Sequence, residues 1–162
     1  MTATSGPIKR SSAAANISWP RRAVYFSTFL ISVLGFACNV SERRTMPAEV
    51  ESAIASVGDD IAAERYEKIY NESSDLWKQA ATLEESVNTF KTLRAKLGTF
   101  ENRTLQSATE QENSGGALKG RAFIVTYQTK FRNAEGMETF TLVERNGKWL
   151  LARYFVSSTA LG

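Results

Sequence analysis

Residues 121–156 read RAFIVTYQTKFRNAEGMETFTLVERNGKWLLARYFV, and this stretch decides the fold. Phe123, Val125, Tyr127 and Phe131 recur at even spacing, the period of a strand with one buried face. A second strand pattern covers 138–145 and a third covers 148–156. Asn146-Gly147 separates the last two; both residues tolerate positive φ, which a tight two-residue hairpin turn requires. Strands joined by such short turns pair as an antiparallel meander.

Working upstream, residues 99–107 read as a further strand, and the polar stretch 110–119 with Gly115-Gly116 reads as the loop after it. Before these strands the period changes to helical. Leu83, Val87, Phe90, Arg94 and Leu97 share one face, Thr82 with Glu85 has the form of a capping box, and Gly98 stands at the C-cap position. Val50, Ile54, Val57 and Ile61 form an earlier stripe after Pro47, continued in shifted phase by Ala62, Tyr66, Ile69 and Tyr70. Gly58-Asp59-Asp60 is the expected break or kink, and Trp77 the edge of a connecting turn. Helices followed by a meander predict an α+β domain over 47–162: N-terminal helices on an antiparallel four-stranded sheet.

The first 38 residues have another character. AVYFSTFLISVLGFACNV, from Ala23 to Val40, has no charge, and Arg21 and Arg22 stand directly before it. A basic flank, an apolar run and small residues have the logic of an export signal. Leu34-Gly35-Phe36-Ala37-Cys38 resembles a bacterial lipoprotein lipobox: Ala37 fits the small position before the cysteine, while Phe36 is bulky and Leu34 stands one residue early. The resemblance implies a diacylglycerol thioether on Cys38, and each buried acyl methylene contributes about 0.8 kcal/mol of anchoring. The alternatives are an uncleaved hydrophobic helix, close to the shortest that spans a bilayer, loss of Cys38 with a cleaved peptide, a twin-arginine signal and a core helix. Residues 1–38 are thus expected to be a signal peptide or membrane anchor with a polar tail, and 39–46 a tether.

Charge follows the same division. Of twenty basic residues, Lys9, Arg10, Arg21 and Arg22 precede Cys38 with no acid among them. Sixteen basic and seventeen acidic residues follow, so the net +3 belongs to the leader and no nucleic-acid partner is expected. Histidine is absent and cysteine occurs once. Histidine-ligated zinc, Ser-His-Asp and Cys-His catalysis and an internal disulfide are therefore excluded. Asp59-Asp60 and Glu84-Glu85 lack the spacing of a calcium loop and read as helix N-terminal charge. No metal or cofactor is expected. Asn71-Glu72-Ser73 and Asn102-Arg103-Thr104 match the glycosylation sequon and carry no meaning in a bacterial protein.

The order of elements resembles the NTF2-like, cystatin-like cone, which implies helices packed into a strongly curved four-stranded sheet. FIVTYQTKF, METFTLVERNGKW and LLARYFV are further similar to domain of unknown function 4019 over residues 48–156. That family has no established activity, so the resemblance implies fold and export rather than chemistry. Cones of this kind enclose a pocket between sheet and helices, and Tyr127, Glu138, Trp149, Arg153 and Tyr154 are the candidate lining. One reading makes Glu138 a base with Tyr127 or Tyr154 as donor, in the manner of an isomerase or dehydratase. The preferred reading is structural. The aromatics fill the core, Glu138 faces solvent or a cross-strand partner, and Arg153 reaches water or pairs with it. The expected function is a non-enzymatic, exported module of the cell envelope, on its periplasmic or outer face. It is tethered to a membrane by Cys38 or by the 23–40 helix and binds a protein or a small apolar ligand. By analogy it is also a homodimer, and the alternative is an accessory subunit of a membrane complex.

Overall fold

The computed structural model describes residues 40–43, 46–116 and 118–162, all within a compact unit spanning 36–162. The leader expectations, Cys38 included, lie outside the described residues. Four helices precede a meander: α1 (Ala48–Ala62), α2 (Tyr66–Glu72), α3 (Asp75–Ala80) and α4 (Leu83–Leu97) lead into β2 (Phe100–Asn113), β3 (Gly120–Phe131), β4 (Glu135–Arg145) and β5 (Lys148–Ser157). The fold is α+β, as the change of period predicts. A short strand, β1 (Val40–Arg43), pairs antiparallel with the outer edge of β2, and the sheet order is β1-β2-β3-β4-β5. The segment expected to be a tether therefore adds a fifth strand to the predicted four. Its four residues are too few to show a readable period.

The hairpin at Asn146-Gly147 forms as expected, with φ of 53° and 75°. The loop after β2 is shorter than predicted: residues 110–113 stay in the ladder, Asn113 opposite Gly120. Cross-strand pairing holds these polar residues where local composition argues for a loop. Register shifts at Phe100/Asn102 and Leu105/Ser107 in β2, and at Thr141/Leu142 against β5, bend the strands.

The helices cover one face of the sheet, and Leu76 of α3 also packs against Ala122, Val143 and Ala152 on the other. Val50 and Ile54 of α1, Tyr66 and Ile69 of α2 and Phe90 of α4 bury against Phe123, Val125, Phe140, Leu142 and Leu151. Phe90 is the aromatic centre of this layer. It stacks on Tyr66 at 5.5 Å and on Trp77 at 5.8 Å between centroids, and it meets Tyr154 of β5 at 5.5 Å. Trp77 lies inside α3 rather than at a turn, and its indole N–H donates to Ser86 Oγ at 2.9 Å. Thr82 forms the predicted capping box with Glu85, and Gly98 caps α4 with φ of 81°.

Gly58 does not break α1, which continues to Ala62. The break falls at Glu64, whose φ is 58°, and the Arg65 N–H closes the turn onto the Asp60 carbonyl at 2.8 Å. Asp60 is likewise not an N-terminal charge. It sits buried in the last turn of α1, where the helix dipole disfavours an anion. Arg65 Nε donates to its Oδ1 at 2.7 Å and Lys68 Nζ to its Oδ2 at 2.8 Å. Burial pushes this carboxyl up, but the two hydrogen bonds and the charges behind them outweigh burial and hold it below its ordinary value. A carboxylate whose pKa is lower folded than unfolded stabilises the fold above the unfolded pKa, and that contribution fades as pH falls through the folded one. An Asp60→Asn variant is therefore expected to be less stable than the parent at neutral pH, with the gap closing below about pH 4. Urea unfolding across a pH series checks this; a gap independent of pH would contradict it.

Candidate functional site

Along β4, Glu138, Phe140 and Leu142 share the parity that faces the helices, so the strand carries an acid into the apolar layer. Glu138 is 0% exposed. A carboxylate in that position needs its lone pairs filled, and four donors fill them. Arg103 Nε reaches Oε2 at 2.6 Å and Arg103 Nη2 reaches Oε1 at 2.7 Å, a bidentate pair. Thr129 Oγ1 donates to Oε2 at 2.7 Å, and the Tyr154 hydroxyl donates to Oε1 at 2.6 Å. Arg103, Thr129, Glu138 and Tyr154 come from β2, β3, β4 and β5, one from each strand of the meander.

The guanidinium is itself enclosed. Its side chain is 13% exposed and lies over the rings of Phe100 at 4.4 Å and Phe140 at 5.2 Å. On the helix side it presses against Gly58, where an added Cβ would stand 2.7 Å from Nη1. The glycine inside α1 is thus a point of close approach, not a kink. Burial raises the Tyr154 hydroxyl well above its ordinary pKa, and the charge of Glu138 with the hydrogen bond to it adds to the rise. Tyr154 is therefore a permanent donor.

The sequence-predicted residues divide. Glu138 and Tyr154 are brought together. Tyr127 lies opposite Glu138 in register, but its hydroxyl faces Met46 Sδ at 4.0 Å and its ring meets Phe140 edge-on. Trp149 lies away from Glu138, packed edge-on against Phe123, under the Arg121 guanidinium at 5.4 Å. It lines a separate cavity of about 130 Å³ between the helices and the sheet. Arg153 is exposed, and Arg103 rather than Arg153 makes the ion pair with Glu138. The solvent-facing position expected for Glu138 is corrected to full burial, and the cross-strand partners are Thr129 on β3 and Tyr154 on β5.

Sequence reasoning missed Arg103 and Thr129. The available signal was parity: Glu138 stands two residues before Phe140, and Arg103 two before Leu105, so both charges share the apolar register. Beside the network remains a cavity of about 30 Å³, lined by Ile61, Phe90, Leu97 and Phe131 among others. It has room for one or two waters. No cluster of three metal-ligating side chains exists among the described residues.

Arg103→Met leaves a buried carboxylate without its counter-ion and is expected to cost about 3–5 kcal/mol. In a Glu138→Gln background the same change is expected to cost much less, because no charge is stranded; a double-mutant cycle by chemical denaturation measures the coupling. Gly58→Ala adds about 0.5–1 kcal/mol of helix preference, yet sets a methyl against a pinned guanidinium. It is expected to destabilise the parent and to stabilise the Arg103→Met variant, read in the same unfolding assay.

Residues 55–154 match the family model described as protein of unknown function (DUF4019). No curated protein matches the chain. The matched stretch runs from the second turn of α1 to Tyr154 and contains all four network residues. The chain belongs to the DUF4019 family.

Proposed function

We propose that this protein is a non-enzymatic interaction module of the cell envelope: an NTF2-like cone held on a membrane at Cys38. The observation that carries the non-enzymatic part is the saturation of Glu138. A general base needs a free lone pair within reach of a substrate proton. Here both oxygens are fully engaged by protein donors. The adjoining space of about 30 Å³ does not admit a substrate. The contact of the Tyr154 hydroxyl with Glu138 is the one feature that favours an isomerase-like reading. The bidentate contact of Arg103 with the same acid supports the structural reading instead.

The cone reading is supported by helices on one face of a sheet whose strands are bent by bulges. On the other face Phe155, next to the inward-facing Tyr154, is 63% exposed and offers apolar surface to a protein, a small apolar ligand or a second copy. The tether reading is supported by the uncharged run at 23–40 and by Ala37-Cys38 at its end. It implies export and a place on the periplasmic or outer face of the envelope.

The intact mass of the full chain extracted from its native membrane, beside a Cys38→Ala variant, tests this reading. The expected mass is that of residues 38–162 plus acyl chains, lost in the variant. An unprocessed mass, changed in the variant only by the substitution itself, would overturn the lipid anchor in favour of an accessory subunit held by an uncleaved helix.

A further inference from the structure

β2 and β4 end where β3 and β5 begin, so the 114–119 loop and the Asn146-Gly147 turn lie at the same end of the sheet. Three cations gather there. Arg145 pairs with Lys148 across the hairpin, and Arg145 Nη1 donates to the Lys119 carbonyl at 3.1 Å and to the Glu144 carbonyl at 2.8 Å. Those are neutral acceptors, so the Arg145 charge is held in place without being neutralised. Lys119 and Lys148 are exposed. Among the described residues no carboxylate pairs with any of the three. Of the nearby acids, Glu110 and Glu144 are bound by Arg121 at 2.8 Å and 2.9 Å, and Glu112 is exposed. The opposite end is mixed, with Glu101 against Lys130 at 3.5 Å and with Glu135 three residues after Arg132.

The chain enters the domain at the cationic end. Val40, the first residue of β1, stands opposite Gln111, two residues before the last of β2. Cys38 is two residues upstream, a span of at most about 7 Å of extended chain. A lipid on Cys38 would thus hold this end of the sheet close to the bilayer surface.

We propose that this end of the sheet faces the membrane, with Lys119, Arg145 and Lys148 set against anionic phospholipid headgroups. The proposal rests on the tether reading above. Three cations attract an anionic surface weakly and only within about a Debye length, some 8–10 Å at ordinary salt. The anchor turns that weak attraction into an intramolecular one and so into an orientation.

Lysine footprinting tests it. The full chain with its native anchor is placed in vesicles of phosphatidylcholine, with or without phosphatidylglycerol, floated, and treated with an amine-acetylating reagent before mass spectrometry. Lys119 and Lys148 are expected to react several-fold more slowly in the phosphatidylglycerol vesicles, relative to Lys91 on α4 and Lys130 at the far end of β3. High salt is expected to abolish the difference, as is Arg145→Glu. Lys148→Glu, at the exposed first residue of β5, is expected to release Lys119 in the same way if Arg145→Glu does not fold. Flotation with even labelling would overturn the membrane-facing surface and leave the tether standing. Failure to float would overturn both, and protection that persists without phosphatidylglycerol or in high salt would overturn the role of the headgroups.

Discussion

A carboxylate with no water around it must be satisfied by protein donors, and at Glu138 this requirement reaches across the whole meander. One residue from each of β2, β3 and β5 closes on the acid carried by β4. A buried pair of this kind is weak evidence for net stability, since desolvation offsets much of the attraction. Its consequence is specificity of register. A slip of one residue in β4 would turn Glu138 to the other face and leave Arg103 without its anion inside the apolar layer. The pairing of Arg103 with Thr129, and of Glu138 with Tyr127, is the register in which the network closes.

The helices are fitted around the same group. Phe140 and Phe100 carry the guanidinium on their faces, and Gly58 gives it room against α1. Tyr154 joins the acid to the aromatic layer, because its hydroxyl binds Glu138 while its ring meets Phe90. Phe90 in turn holds Tyr66 and Trp77, so α2, α3 and α4 share a contact that ends at the buried charge. Polar and aromatic packing thus form one continuous structure between the sheet and its helices.

This arrangement separates what resembles a catalytic site from what acts as one. A buried acid beside a tyrosine in a sheet-and-helix domain is the outline of an isomerase pocket. The chemistry depends on what else touches the acid. With Arg103 bidentate and Thr129 on the second oxygen, Glu138 has nothing left with which to take a proton. Under the proposed function the domain acts through its surfaces, at Phe155 on the outer sheet face and at the end where the chain enters.

Much of the fold was legible because it is written in local periods. Alternation at Phe123, Val125 and Tyr127, the helical stripe at Leu83–Leu97, the Thr82 capping box and the Asn146-Gly147 turn each depend on residues a few positions apart. β1 escaped because its pairing with 108–111 is remote in sequence, and Gly58 was misread because its partner, Arg103, lies forty-five residues away. The site was half legible. Glu138 and Tyr154 were singled out, Trp149 and Arg153 do not join them, and Arg103 and Thr129 were passed over. By itself the sequence determined the class of fold, the placing of helices ahead of the meander and the absence of histidine and disulfide chemistry, since these follow from composition and short-range spacing. Only the tertiary structure decided that Glu138 is buried with both oxygens bound by Arg103, Thr129 and Tyr154. The charge state and the free lone pairs of a buried acid are set by whichever side chains surround it, and those come from strands that local sequence does not bring together.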